Sequence, residues 1–184
     1  FAFFVIHEGS VENIEWEMFI WFILNGLATL FVQPLIYAYE KIFGLVSDVS
    51  LLELSDTNST LLKELSNKAP GTFHHSLNVA NLAEASANEI GANAMLVRVG
   101  ALYHDIGKMK NPTYFTENQS SGINPHDELS SKESARIIVS HVIDGIEIAK
   151  KYNLPDRVID FIRTHHGTSV VYYFYMKEKK DIEE

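Results

Sequence analysis

The chain has no cysteine among its 184 residues, which excludes a disulfide framework and thiolate metal sites and is compatible with a reducing compartment. It also lacks any run of Lys and Arg: 24 acidic and 15 basic residues give a net charge of -9. A protein that holds duplex nucleic acid by releasing counterions needs a cationic face, so no duplex partner is expected. An acidic chain can still take a phosphate ester where metal ions supply the positive charge locally. No stretch alternates apolar and polar residues with a period of two, so strands are not expected. Finally, no charged side chain occurs anywhere from Met18 to Tyr39.

That uncharged run holds 22 residues, and as a helix rising ~1.5 Å per residue it covers roughly 33 Å, close to the ~30 Å hydrocarbon thickness of a bilayer. Trp16 and Trp21 stand near one end and Tyr37 and Tyr39 near the other, as interfacial aromatics do. Asn25, Thr29 and Gln33 share one helical face that could pack on a neighbouring helix. Pro34 is expected to kink the end of this helix. A buried helix of a soluble domain is the alternative, but such helices seldom stay uncharged for so long. Residues 18–39 are therefore read as a transmembrane helix with the lipid bilayer as partner.

The flanks give it a direction. Four glutamates and no Lys or Arg lie between His7 and Glu17, whereas all 15 basic residues lie at or after Lys41. Positive charge stays inside, so the C-terminal part is expected to be cytoplasmic. Phe1 to Ile6 is apolar without a basic n-region, unlike a signal peptide. Residues 1–17 thus read as the end of a preceding span and an outer loop, in a piece of a longer protein.

Residues 40–70 read as a connector with one short helix, capped by Ser59 or Thr60 and striped by Leu61, Leu62 and Leu65. Ala69-Pro70-Gly71 is expected to break the chain. From 71 to 184 the pattern is helical: Phe73 to Ile90, then Ala92 to Ile106 closed by Gly107. A polar loop follows from Asn111 to Leu129. A capping box of Ser130 and Glu133 opens the helix that carries Ala135 to His141. Asp144-Gly145 is expected to interrupt it before Ile146 to Tyr152, and Pro155 opens a last helix ending at His165-His166-Gly167. The fold class is all-α, a helical bundle preceded by a transmembrane helix and connector.

Five histidines and an aspartate stand at or near the ends of four helical segments: His75, His104, Asp105, His141, His165 and His166. A bundle can turn such residues into one pocket. Neutral imidazole suits Fe, Mn, Zn and Ni, and an aspartate can bridge two cations. Such a centre polarises a phosphoryl group and activates water at neutral pH. Any one of these histidines alone is more often a surface or hydrogen-bonded side chain, and His165-His166 would also suit a helix C-terminus. Their coincidence on successive helices favours the metal reading.

His104-Asp105-Ile106-Gly107-Lys108 is the HDIGK form of the motif that names the HD phosphohydrolase superfamily. With Ala69-Pro70-Gly71-Thr72-Phe73-His74-His75-Ser76, Asn124-Pro125-His126-Asp127-Glu128-Leu129 and His165-His166-Gly167, it resembles the seven-transmembrane HD receptors in their cyclic di-AMP phosphodiesterase (PgpH-type) branch. The resemblance runs from about Ile14 to Lys180. It implies that His75 and His104 hold one metal, that Asp105 bridges the pair, and that His141 and His165 hold the second. His166 would join that metal or face the substrate phosphate. Lys108 would contact the phosphate, and would act with Asp105 in catalysis; a solvated lysine after a helix stop is its plainer reading. Two divalent cations, Fe or Mn, are implied, with a cyclic dinucleotide, cyclic di-AMP, opened to linear pApA. A homodimer is compatible with this reading.

The remaining histidines are not expected to be ligands. His74 points about 100° from His75 on a helix, His126 sits in the polar loop as an ordering residue, and His7 lies in the outer loop. Tyr103, Tyr114 and Phe115 could stack on any base, so adenine is not specified by them. The family pattern closes the first metal's shell with an aspartate on a later helix. Here only Glu178, Asp181, Glu183 and Glu184 follow the histidine doublet, in a charged tail with no helix long enough to return to the pocket, so that carboxylate is expected from outside the chain. Two alternatives stay open: a catalytically impaired HD module that binds a nucleotide for signalling, and an enzyme acting on a nucleoside mono- or polyphosphate.

Overall fold

In the computed structural model of the protein, residues 16–119, 122 and 124–183 are described. His7 and the expected end of a preceding span lie outside them. The chain divides into two compact units, residues 1–43 and 44–184.

In the first unit the apolar run forms α1 (Trp16–Leu30) and α2 (Val32–Phe43). Pro34 has no N–H for the Leu30 carbonyl, and the helix is interrupted at Phe31, one turn earlier. Residues Phe19–Phe43 are long and apolar enough to cross a membrane. Trp21, Phe22, Leu30, Phe31 and Ile42 are all exposed, a continuous apolar surface that suits lipid far better than water. Thr29 turns its hydroxyl onto the Asn25 carbonyl (2.6 Å) and is satisfied within its own helix.

The second unit is α-helical throughout, with short 3-10 turns. Its helices are α3 (Asp48–Ser55), α4 (Thr60–Lys68), α5 (Pro70–Glu89), α6 (Ala94–Tyr103), α7 (Ser131–Lys151), α8 (Asp156–Thr164) and α9 (Tyr172–Glu183). A 3-10 helix, Ile106–Lys110, follows α6, and three 3-10 turns, Pro112–Tyr114, Thr116–Asn118 and Pro125–Glu128, order the polar loop. The stretch read as a connector folds as α3 and α4, and Leu51, Leu61, Leu62 and Leu65 enter the same core as Val99, Leu102, Ile106, Val158 and Ile162. Each fully buried leucine contributes about 1.5–3 kcal/mol, enough to fix α4 against α5.

Two local expectations change here. Pro70 does not break the chain but opens α5 at its first turn, where a missing N–H costs nothing. Asp144-Gly145 does not interrupt α7, which runs unbroken from Ser131 to Lys151 behind its Ser130–Glu133 capping box. In the tail after the histidine doublet α9 forms and packs on α7.

The glycines explain the close packing. A Cβ on Gly107 would lie 1.8 Å from the His141 carbonyl oxygen and 2.5 Å from the Gly145 nitrogen. One on Gly145 would meet Ile162 at 2.9 Å. Gly107 therefore does not close a helix; α6 ends at Tyr103, and Gly107 lets the next turn lie directly on the backbone of α7.

Candidate metal centre

That contact sets His104 and Asp105 against His141. His75 comes from the second turn of α5, His104 and Asp105 from the junction of α6 with its 3-10 turn, His141 from the middle of α7, and His165 and His166 from the end of α8. The two oxygens of Asp105 face different histidines. Oδ2 lies 3.1 Å from His104 Nε2 and 4.0 Å from His75 Nε2. Oδ1 lies 3.3 Å from His141 Nε2 and 3.5 Å from His165 Nε2. His166 Nε2 stands 3.3 Å from His141 Nε2. Two groups able to hold a metal result, His75–His104–Asp105 and Asp105–His141–His165–His166, with Asp105 common to both.

One device orients three of the rings. Nδ1 of His104 donates to the Ala101 carbonyl (2.7 Å), Nδ1 of His165 to the Ile162 carbonyl (2.9 Å), and Nδ1 of His141 to the Ile138 carbonyl. A carbonyl can only accept, so Nδ1 carries the proton, and in the neutral ring Nε2 is left as a lone pair aimed at Asp105. The Nε2 atoms of His141 and His165 are 3.3 Å apart. Nitrogens bound ~2.1 Å from one ion are about 3.0–3.4 Å apart, so the spacing fits a shared cation.

The charge balance points the same way. Burial pushes the Asp105 carboxyl up, but the imidazole nitrogens of His104, His141 and His165 that face it outweigh this and hold the group well below the usual carboxylate range. Asp105 Oδ1 is buried with no hydrogen-bond partner, a costly state for an anion. Protonating all the surrounding rings would answer it poorly, since two unit charges ~4 Å apart repel by roughly 4 kcal/mol even at an effective dielectric of 20. Divalent cations supply the same charge without that repulsion. Asp105 and His141 are buried, while His75 and His166 are exposed, so the centre opens to solvent on their side.

Lys108 leans into the same place. Its Nζ is 2.9 Å from Asp105 Oδ2 and 2.8 Å from Glu117 Oε1. Burial pushes this ammonium down, but Asp105 and Glu117 hold it above its ordinary value, so it stays charged.

Other candidates fall elsewhere. His74 is exposed and outside both groups. His126 is buried in the loop, donates to the Tyr114 carbonyl (3.0 Å) and packs its ring between Tyr114 and Phe174. Tyr103 is not available for stacking on a base: it is 1% exposed and its hydroxyl donates to the Leu54 carbonyl (2.9 Å). Phe115 is buried edge-on against His141. Among the described residues, no carboxylate of α9 joins either group. Glu117, Thr72 and Asn118 were not anticipated. The one available signal was that Glu117 is the only acid between Asp105 and Asp127.

The sequence pattern of the HD domain matches residues 72–184. The chain is 55% identical over 142 residues to the cyclic-di-AMP phosphodiesterase PgpH of Listeria monocytogenes, covering 77% of this chain and 20% of that protein. It is 45% identical over 159 residues to PgpH of Bacillus subtilis, covering 86% of this chain and 22% of that one. The chain thus spans about a fifth of the length of these curated relatives. Crystal structures of the L. monocytogenes PgpH HD domain superpose with a TM-score of 0.65 alone and 0.66 in complex with cyclic-di-AMP. They are 57% and 56% identical to the chain and cover 66% and 68% of it, with 59% of each solved chain matched.

Proposed function

The chain belongs to the HD-domain family, and on that premise we propose that it hydrolyses a phosphodiester of a cyclic dinucleotide, cyclic di-AMP, to linear pApA. The observation that carries this reading is the sharing of Asp105 between two histidine groups, one on each carboxylate oxygen. The chemical identity of the substrate is supported by the relative whose HD domain was crystallised with cyclic-di-AMP.

Two divalent cations, Fe or Mn, would supply, when bound, polarisation of the phosphoryl oxygens and an activated water for opening the ester at its 3′-oxygen. His75 and His104 would hold one, His141, His165 and His166 the other, and Asp105 would join them. Lys108 would neutralise charge on a non-bridging oxygen. His166, on the exposed rim, would also meet the substrate phosphate. Residues 18–39 would anchor the domain in the cell membrane, facing the cytoplasm, with residues 40–70 leading into the HD domain. The net charge of -9 favours a small nucleotide over duplex nucleic acid. A homodimer is compatible with this arrangement.

A second reading has one observation in its favour. The His75 group has three ligands against four in the other, as in a module that binds a nucleotide without turning it over. Metal analysis of the purified protein with chromatography of its products separates the two. Two transition-metal ions per chain and selective formation of pApA are expected from cyclic di-AMP. Absence of bound metal, or turnover that survives His104→Ala, overturns the proposal.

A further inference from the structure

Lys108 has three N–H donors, and two have partners within the protein. One reaches Asp105 Oδ2 and one reaches Glu117 Oε1, while the ring of Phe115 lies under the ammonium, 4.9 Å from Nζ to the centroid. The third donor has a direction only because the other two are fixed. Glu117 is itself held: the Thr72 hydroxyl donates to Oε1 (3.1 Å), and Asn118 clamps Thr72 by donating from Nδ2 to that hydroxyl (2.8 Å) and accepting from the Thr72 N–H (3.1 Å). Thr72 is fully buried. The clamp needs Gly71, where a Cβ would lie 1.8 Å from the Glu117 carbonyl oxygen. The start of α5 and the turn Thr116–Asn118 are thereby locked together beside the metal centre.

We infer that Glu117 is a positioning residue for the proposed reaction: it aims the Lys108 ammonium so that its remaining N–H meets a non-bridging oxygen of the substrate phosphate. This rests on the phosphodiesterase reading above. Glu117 touches neither the metals nor the substrate. A charged partner is needed because the ammonium would otherwise turn wholly onto Asp105, the other anion it contacts among the described residues, and lose its hold on the phosphate. A purely structural role for Glu117, tying a loop to α5 through Thr72, makes a different prediction.

Glu117→Gln tells them apart, since the amide oxygen can still accept from Thr72 while the charge opposite Lys108 is gone. In the metal-loaded full chain, Glu117→Gln is expected to lower kcat for cyclic di-AMP by about tenfold, with KM and metal content little changed, as a mis-aimed group does. Added to Lys108→Ala, the same change is expected to cost nothing further, because it acts through that lysine. Equal losses in both backgrounds overturn the inference. A second measurement does not depend on turnover: acylation of Lys108 by N-hydroxysuccinimidyl acetate, followed by peptide mass spectrometry. Release from Glu117 should make Lys108 several-fold more reactive in Glu117→Gln, and an unchanged rate sinks the idea. A wild-type chain that binds no metal and turns over no cyclic dinucleotide would fail the proposed reaction, while the acylation rate still decides whether Glu117 holds Lys108.

Discussion

Replacing Asp105 with asparagine keeps the shape of the side chain, removes its charge and leaves a single oxygen where two histidine groups now meet two. The buried Oδ1 has no hydrogen-bond partner to lose, so the change is mild for the fold and severe for cations. Asp105→Asn is expected to hold less than one metal per chain by elemental analysis. Its turnover should fall by more than the about 10–100-fold typical of losing an outer partner of a ligand. Retention of both ions would show that Asp105 does not bridge. Gly107 supplies the opposite case, in which chemistry is untouched and geometry fails. A methyl group 1.8 Å from the His141 carbonyl oxygen meets backbone, which cannot turn aside as a flexible side chain would. Gly107→Ala should cost at least about 1–3 kcal/mol through overpacking, lower Tm by several degrees, and reduce occupancy of the metal held through His141. A variant with wild-type Tm and metal content would refute the close-approach account.

Helix starts are decided locally, and α7 tests this. Its capping box joins Ser130 and Glu133 in both directions, so Ser130→Ala should destabilise the unit by about 1 kcal/mol. His141 lies ten residues past the start of α7, about 15 Å along the axis, so metal content should not change; thermal denaturation and elemental analysis together check both halves. The same distinction explains what was legible in the sequence. The capping box, the leucine stripe of α4 and the apolar faces of α5 and α6 are neighbour-to-neighbour patterns, readable from the residues themselves. The six ligand candidates were readable because chemistry singles out their types and the HDIGK motif fixes their order. Gly145 misled because its reason is a partner, the turn at Gly107, which no local pattern reports. Glu117 escaped because Thr72 lies 45 residues away, and Tyr103 looked available because its acceptor is a backbone carbonyl in α3. In the charged tail Phe174 anchors α9 beside His126, yet among the described residues none of its carboxylates joins either metal group.

The division at residues 43 and 44 has a consequence for the whole molecule. Residues 44–184 hold the shared core, every residue of both metal groups and the Lys108–Glu117 pair, whereas residues 19–43 hold the exposed apolar surface suited to lipid. Removing residues 1–43 should therefore convert a protein that needs detergent into one that stays in solution, with the metal centre intact. Because the ligands come from α5, α7, α8 and the end of α6, cations bind only the folded form and must stabilise it. At a hundred times its Kd, one ion adds about 2.7 kcal/mol, and a domain of this size should then gain roughly 5–15 °C in Tm. Scanning residues 44–184 with a chelator and with added Mn measures this shift directly. A piece that aggregates would show that the second unit depends on the first, and a Tm indifferent to Mn would show that Asp105 and its five histidines do not form a metal centre.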